Sequence, residues 1–475
     1  MSSYVLDLVS VMIIDRCRIG CSVIDVLSDD VFIYIFNLYR QDLEFYHSES
    51  WSWHQWRTLA HVCQQWRHII FEWPNYLDVR IDCGSRTAAV KALDVWPALP
   101  IAIKGMSNYK NDDSIIDVLE HRDRIIGIDL SGLTGLQLKT CVTLMQEPFP
   151  ILQTLSLSCN AEKPLVISDM FLGGSAPRLQ RITLRRVPFP TLPKFLLSTR
   201  GLVELDLEDI PSTGYISPDV MAASLAMLTR LRSVSISFLS RRSFPKNLTT
   251  QCPPPPTRTV LPALTTFMCS GVKEYLENLM ARIDAPLLDD LDLRFFYQPT
   301  SGVPRLSQII HRMEKFKTPH KADIDFYDHG ADISLLSGLF DDCLHLEFEC
   351  NGLDRQLSLL EQVFSQCFPL LSHVDTLELF DHDMQPDQDS TLWLAFLRPF
   401  DAVQSLIFYD QASMSQIAHV LGDLTEERAA EVLPTLRTIV WYGLCDWDEV
   451  EPWVIPPLQP FIDARELSGH PVAVI

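Results

Sequence analysis

A short alternation of apolar and polar residues recurs along most of the chain. Two apolar side chains flank one intervening residue, usually polar, as in Leu155-Ser-Leu157 and Leu205-Asp-Leu207. Alternation with a period of two is typical of a strand that buries one of its faces. The first residues of twelve such pairs are at positions 128, 155, 182, 205, 234, 267, 291, 324, 344, 377, 406 and 439.

The spacing of these pairs predicts what lies between them. Neighbouring pairs are 20 to 33 residues apart, which leaves room for a helix in most intervals. One such interval, residues 217–229, has apolar side chains at Val220, Leu225 and Leu228 that favour a helix. A strand–helix unit returning at this period predicts an α/β protein built as a stack of repeats.

The pattern resembles the leucine-rich repeat, with its Leu-x-x-Leu-x-Leu strand, over roughly residues 110–450. Leu202-Val-Glu-Leu205-Asp-Leu207 is a clear copy. The Asn or Cys that the family usually carries after the strand is mostly missing, so the resemblance implies an irregular solenoid. A non-repeat α/β domain is the alternative. The proline run of residues 253–256 interrupts the strand period and is interpreted as a loop between repeats.

The N-terminal part has a different character. Ser28 can cap a helix whose first turn carries Asp29 and Asp30, which the positive end of the helix dipole favours. Apolar residues then recur at helical spacing, and a second helical stretch leads through Trp66. Two or three short helices carry more aromatic surface than a core of their own size can bury. Such a leftover apolar face generally marks a site for a partner.

These N-terminal residues resemble a fungal-type F-box, a family with an apolar first helix followed by Val-Cys-x-x-Trp-Arg. The matching residues are Leu27, Val31, Ile35, Phe36, Val62, Cys63, Trp66 and Arg67. Ser28 stands where the family usually has proline, and residues 40–58 form an insertion between the first two helices.

The resemblance implies an adaptor of an SCF-type cullin–RING ubiquitin ligase. The F-box would dock on the Skp-family subunit and through it reach a cullin, while the repeats would bind the target protein. The residues expected to contact the Skp-family subunit are Leu27, Val31, Phe32, Ile35, Phe36, Val62, Cys63 and Trp66. Trp66 is the expected anchor, since tryptophan is common among interface hot spots. Two alternatives stay open: Trp66 fills the core of the F-box itself, or the chain is a repeat-based interaction scaffold whose degenerate F-box is not coupled to ubiquitination.

The chain is accordingly divided into five segments. They are an N-terminal segment (1–24), the F-box (25–75), a connector (76–110), the leucine-rich-repeat-like solenoid (111–451) and a C-terminal cap or tail (452–475).

Along each strand, the residues that alternate with the two apolar members of a pair would line the exposed, concave sheet of a leucine-rich repeat. On four of the strands these residues are carboxylates, with Arg294 as the one cation among them. The expected target-binding residues are Glu204, Asp206, Glu208, Asp290, Asp292, Asp323, Asp325, Glu347 and Glu349. Like charges stacked across a sheet repel, so this face is expected to prefer a basic segment of the target. The alternative is a solvated face on an acidic protein.

Composition narrows the classes of partner. Among 475 residues, 39 are Lys or Arg and 61 are Asp or Glu, which gives a formal net charge of −22. Such a charge repels phosphate backbones and anionic lipids, so neither nucleic acid nor a membrane is the expected partner. No apolar stretch reaches the roughly 18 residues of a membrane span. Twelve scattered cysteines favour reduced thiols, and hence a cytoplasmic or nuclear location.

The sequence has no recognisable catalytic motif. It lacks a phosphate-binding loop ending in Lys-Ser/Thr, a His-Glu-x-x-His pair and a Gly-x-Ser-x-Gly elbow. We therefore expect neither enzymatic activity nor a cofactor, and no metal site is predicted.

Overall fold

The computed structural model of the chain describes most of the strand–helix region and parts of the N-terminus. The described residues are 27–36, 61–72, 79–83, 100–106, 112–245, 258–296, 304–337, 343–367, 369–381, 390–409, 411–424, 431–442 and 455–475. The predicted N-terminal segment 1–24, the insertion 40–58 and the proline run 253–256 lie outside them. The chain divides into two compact units, Met1–Ile182 and Thr183–Ile475.

The first unit begins with helices and continues with parallel strands. Its described elements are helical residues 29–36 (α1), Gln64–Glu72 (α2), Val79–Asp82 (β1), Ile101–Met106 (β2), Asp112–Leu119 (α3), Ile125–Leu133 (β3), Gly135–Leu144 (α4) and Thr154–Cys159 (β4). The strands pair in the order β1-β2-β3-β4, all parallel. Strand β5, Arg181–Arg185, lies at the boundary between the two units.

Burial follows the alternation in this sheet. Ile81, Ile103, Ile128 and Leu155 are partners on successive strands, and each is at most 2% exposed. The helix after β3 starts at a capping box, in which Thr134 and Gln137 exchange side-chain and backbone hydrogen bonds. Residues 76–110, predicted as a connector, therefore contain two strands of the sheet, β1 and β2.

The second unit alternates strands with helices. Its described elements are Leu192–Leu196 (α5), Glu204–Ile210 (β6), Pro218–Leu225 (α6), Ser233–Phe238 (β7), Thr259–Val260 (β8), Thr266–Gly271 (β9), Lys273–Arg282 (α7), Ile283–Asp284 (β10), Asp290–Phe295 (β11), Pro304–Ile310 (α8), Lys321–Tyr327 (β12), Gly330–Leu336 (β13), Cys343–Glu349 (β14), Leu353–Cys367 (α9), Thr376–Asp381 (β15), Ser390–Leu397 (α10), Ser405–Phe408 (β16), Gln411–Gly422 (α11), Thr438–Trp441 (β17), Ile455–Leu467 (α12) and Ala473–Val474 (β18). Helix α6 occupies the interval in which the sequence predicts one.

The strands of this unit form one large sheet. Its described order is β6-β7-β9-β11-β14-β13-β12-β15-β16-β17-β18, and every pairing is parallel except the two made by β13. Strands β8 and β10 form a separate two-stranded parallel sheet. The α/β class therefore agrees with the prediction, and the sheet that carries it is large and mainly parallel.

All twelve predicted pair positions lie in strands, and the side chain of each is at most 2% exposed. Within the second unit they fall in register: Leu205 is the partner of Val234, and Leu377 of Leu406. One position needs a correction. Strand β12 aligns with its parallel neighbour β15 through Ala322, not Ile324, because the buried pair of this strand begins at the small alanine.

Strand β13 departs most from a regular repeat. Only 20 residues separate the predicted pairs at 324 and 344, too few for a strand, a helix and two turns. The chain instead turns back at residues 328–329, so β12, β13 and β14 form an antiparallel meander. The meander is inserted between parallel strands, with β14 beside β11 and β12 beside β15.

The predicted C-terminal cap or tail holds helix α12 and the short strand β18, which pairs with β17. In the part of the chain that the structure describes, none of the helices combines the length and the hydrophobicity needed to cross a bilayer.

The start of β13 gives a test of the meander. A methyl group on Gly330 would lie 2.6 Å from the carbonyl oxygen of Phe348 and 2.9 Å from the Tyr327 ring. Gly330→Ala is therefore expected to lower the free energy of unfolding by about 1–3 kcal/mol, measured by urea unfolding. The same change at Gly135, where the nearest atom is 3.4 Å away, is the control. Equal stability of the two variants would contradict the close packing of this hairpin.

Candidate functional site

Helices α1 and α2 pack through aromatic rings. The Trp66 ring lies 5.8 Å from Phe32 and 4.9 Å from Phe36, centroid to centroid, both in edge-on geometry. Phe32 and Phe36 are 1% exposed and Trp66 is 8% exposed. Trp66 thus contributes to the core between α1 and α2. This agrees with the alternative that Trp66 fills the core of the N-terminal helices themselves.

The other F-box positions remain accessible to different degrees. Val31 and Val62 are exposed, and Leu27, Ile35 and Cys63 are half-buried. Because Val31 and Val62 are exposed, a partner could reach them without disturbing Trp66. Of the eight predicted contact residues, Val31 and Val62 are therefore the ones best placed for direct docking.

The nine predicted target-binding carboxylates fall into two groups in the second unit. Glu204, Asp206 and Glu208 lie on β6, and the remaining six lie on β11, β12 and β14. Strands β7 and β9 separate the groups. The intervening positions of these two strands carry Ser233, Ser235, Ser237, Thr266, Met268 and Ser270.

The β6 group is crowded and partly compensated. Burial and then the neighbouring Glu208 raise the pKa of Asp206 to about 6. Arg185 lies 3.4 Å from Glu208 and 3.3 Å from Asp209. The β6 group holds three of the nine predicted carboxylates against six in the other group, so it is the weaker of the two candidates for a cationic partner.

The second group is larger than the sequence predicts. Pairing of β14 with β13, and of β12 with β15, adds Asp332 and Glu378 to the same face. We call this set of carboxylates the acidic strip; its members are Asp290, Asp292, Glu347, Asp332, Asp323, Asp325 and Glu378. Glu349 is exposed at the end of β14, opposite Gly330.

Two cations are built into the acidic strip. The Arg294 guanidinium lies 3.0 Å from Asp292 and 3.2 Å from Glu347. The Lys321 ammonium lies 3.1 Å from Asp323 and 2.9 Å from Glu378. Each cation links two carboxylates, and the strip keeps an excess of negative charge.

The centre of the strip shows the cost of this crowding. Burial and then the facing Glu347 raise the pKa of Asp332 to about 6. The Tyr327 hydroxyl donates a hydrogen bond to Asp332 at 3.0 Å. Burial also raises the pKa values of Asp290 and Asp323, with Asp292 and Glu378 as the respective second causes. A cation from a partner would relieve this repulsion.

The strip also contains a group with metal-ligand chemistry. Ligand atoms of Asp332, His345 and Glu347 lie within 4.8 Å of one another. The geometry would admit a divalent ion, yet Arg294 already pairs with Glu347 and Tyr327 with Asp332. His345 Nδ1 lies 2.9 Å from the Ser334 hydroxyl. Arg294 and Ser334 thus already pair with Glu347 and His345, and we assign no metal here.

Comparison with known proteins adds little. No protein-family model and no curated protein matches the chain. Among solved structures, it is similar to the leucine-rich repeat-containing protein LegL7 from Legionella pneumophila, at 13% identity. The match covers 70% of this chain and 95% of that one, with a TM-score of 0.29. A TM-score this low leaves the assignment of function to the geometry of the chain itself.

The raised pKa of Asp332 predicts a pH dependence of stability. An aspartate titrates near 3.9 in an unfolded chain, so the folded state takes up the proton first as the pH falls. The charged form of Asp332 therefore destabilises the fold above pH 6, and this cost disappears near pH 4. Asp332→Asn is expected to raise the free energy of unfolding at pH 7 by about 1 kcal/mol, after allowance for solvent screening, and to leave it unchanged at pH 4.

Chemical unfolding at pH 4, 5, 6 and 7 measures this difference. Exposed Asp401, replaced by asparagine in the same way, is the control and is expected to leave stability unchanged at every pH. A gain from Asp332→Asn that does not vary with pH would contradict the assignment.

Proposed function

We propose that the chain is a protein-binding adaptor that recruits a target through its repeat sheet and docks on an SCF-type ubiquitin ligase through its N-terminal helices. The observation that carries the proposal is the acidic strip, a set of carboxylates on the polar face of in-register strands. A strand–helix architecture with a mainly parallel sheet is typical of the leucine-rich-repeat class, whose sheets bind proteins.

The chemistry of the strip favours a basic segment of a target. Seven carboxylates share one face with Arg294 and Lys321, and the whole chain has a net charge of −22. An incoming Lys or Arg would gain charge-assisted hydrogen bonds and lower the repulsion between Asp332 and Glu347. Long-range attraction would also speed the encounter.

The ligase half of the proposal rests on the F-box resemblance and on how its residues are arranged. The packing of Phe32, Phe36 and Trp66 gives the two helices a core of their own. Val31 and Val62 are left exposed at 40% and 51%, as an apolar docking surface requires. Burial of one such side chain at an interface contributes on the order of 1.5 kcal/mol.

The adaptor would act without chemistry of its own. Holding a target beside the ligase raises the effective concentration of the target's lysines at the catalytic subunits. The second candidate, a scaffold whose F-box no longer engages a ligase, shares the acidic strip and differs only in the N-terminal contact.

The N-terminal contact can be tested by charge insertion. We expect wild-type chain to co-purify with a Skp-family subunit, and Val31→Asp together with Val62→Asp to weaken that binding at least about ten-fold, because a carboxylate would be desolvated at the interface. Leu136→Asp, at a 70% exposed position of the same unit, is the matched control.

Thermal unfolding of the variants shows whether the helices remain intact. Failure of the wild-type chain to bind any Skp-family subunit would reject the adaptor and leave the scaffold.

The target-binding surface can be tested with a basic peptide in which lysine alternates with serine. Asp325→Asn with Asp332→Asn is expected to weaken its binding about five-fold and to reduce its salt dependence, because two carboxylates of the strip lose their charge. Glu204→Gln with Asp206→Asn removes the same charge from the β6 group and is expected to have a smaller effect. Equal losses in both double variants would show that the peptide responds to net charge and not to the strip.

A further inference from the structure

Three aromatic rings continue the polar face beyond the acidic strip. Phe380, Tyr409 and Tyr442 lie at corresponding positions at the ends of β15, β16 and β17. Phe380 and Tyr409 are stacked at 4.6 Å with an interplanar angle of 5°, and Tyr409 and Tyr442 at 5.2 Å and 22°. We call these three residues the aromatic ladder. Its spacing matches the separation of neighbouring strands.

The ladder belongs to the polar face and not to the core. The residue before each ring, Leu379, Phe408 or Trp441, is on the opposite face, where Leu379 and Phe408 are at most 1% exposed. Tyr442 is 41% exposed, and Phe380 and Tyr409 are half-buried. The ladder thus presents ring surface to solvent.

The central ring is held in place by the acidic strip. The Tyr409 hydroxyl donates a hydrogen bond to Glu378, and burial together with this carboxylate raises the pKa of Tyr409. Glu378 is itself 8% exposed and bound to Lys321. A fixed ring stacks on a ligand at less entropic cost than a mobile one.

Strand pairing joins the strip and the ladder in a single row. The row reads Arg294, Glu347, Asp332, Asp325, Phe380, Tyr409 and Tyr442, one residue from each of seven adjacent strands. Arg294 neutralises Glu347 at one end of the row. The position next to Phe380, where another ring would continue the stack, is occupied by the shorter Asp325.

Among the described residues, carboxylates outnumber cations around this junction. Among the described polar-face residues of β12, β13 and β15–β17, the carboxylates are Asp323, Asp325, Asp332 and Glu378, and Lys321 is the single lysine or arginine. A planar cation above Asp325 would extend the stack by one step and face two aspartates. Arginine meets this description, because its guanidinium stacks on aromatic faces and donates in its own plane to carboxylates.

We propose that the junction between the acidic strip and the aromatic ladder binds an arginine side chain of an extended segment in a partner protein, with the guanidinium stacked on Phe380 and hydrogen-bonded to Asp325 and Asp332. This inference rests on the proposed protein-binding function of the sheet and specifies its partner. Lysine carries the same charge but cannot stack as a plane, so the site discriminates between the two residues.

Two blocked peptides of equal charge test the discrimination, one alternating serine with arginine and one alternating serine with lysine. Their affinities for the full chain are measured by fluorescence anisotropy at low salt. The arginine peptide is expected to bind about ten-fold more tightly than the lysine peptide. A third peptide with citrulline, planar but uncharged, is expected to bind at least about ten-fold more weakly than the arginine peptide.

Variants locate the effect. Phe380→Leu is expected to lower the affinity of the arginine peptide to that of the lysine peptide. The affinity of the lysine peptide should stay the same. Tyr34→Leu, which removes a 64% exposed aromatic ring from the first unit, is the matched control and should change neither. Asp325→Asn, close in shape to the original residue, is expected to weaken the binding of both peptides about three-fold. This variant provides a second test of the site if Phe380→Leu lowers the melting temperature.

The outcomes separate this inference from the proposed function. Equal affinities of the arginine and lysine peptides, or full arginine preference in Phe380→Leu, would overturn the arginine site. If both peptides still depended on Asp325 and Asp332, the acidic strip would stand as a protein-binding surface without it. Binding of the citrulline peptide as tightly as the arginine peptide would also overturn the inference.

Discussion

The arrangement of the second unit depends on one row of buried side chains that crosses its sheet. Ten neighbouring strands of the large sheet contribute one member each, and the row runs through Leu205, Val234, Phe267, Leu291, Leu344, Leu335, Ala322, Leu377, Leu406 and Ile439. All of these side chains are at most 2% exposed. A slip of one residue in any strand would turn its apolar residues to solvent, so burial fixes the register. Polar residues alternate with the members of this row and lie on the other face of the sheet.

The same register places the polar-face residues in rows, and these rows explain both the acidic strip and the aromatic ladder. Carboxylates that are far apart in sequence, such as Asp332 and Glu347, become direct neighbours. Their mutual repulsion costs free energy, which is why Arg294 and Lys321 each link two carboxylates. Rings at equivalent positions stack for the same geometric reason. A surface of this kind stores unfavourable electrostatic energy that a cationic partner can release.

The sequence is most informative about features that depend on a single strand, such as where the strand lies and which of its faces is buried. Alternation identifies the strands around Leu155 and Leu377 because burial of one face needs no knowledge of the neighbours. It does not reveal that β13 reverses direction, and it misaligns β12 because Ala322 is too small to stand out as a core residue. The aromatic ladder carried a readable signal, since Phe380, Tyr409 and Tyr442 each directly follow the second member of an apolar pair. Only the pairing of strands in the structure shows that β15, β16 and β17 are adjacent and that Asp325 of β12 lies beside Phe380 in the same row.

In the N-terminal helices, the sequence motif identifies residues but not the role that each residue has. The motif spacing draws attention to Phe36 and Trp66, but spacing alone cannot separate a residue that holds two helices together from one that contacts a partner. The distances between the rings make that distinction and shift attention to Val31 and Val62.

The reversed strand β13 also bears on how the polar face can vary. Strands β12 and β13 form a hairpin between β14 and β15, and removal of both strands together would bring β14 beside β15 in parallel orientation and keep helices α8 and α9. The hairpin carries Asp323, Asp325 and Asp332. Its insertion or deletion would therefore change the width and the charge of the polar face in one step, while the strands on either side keep their apolar residues buried.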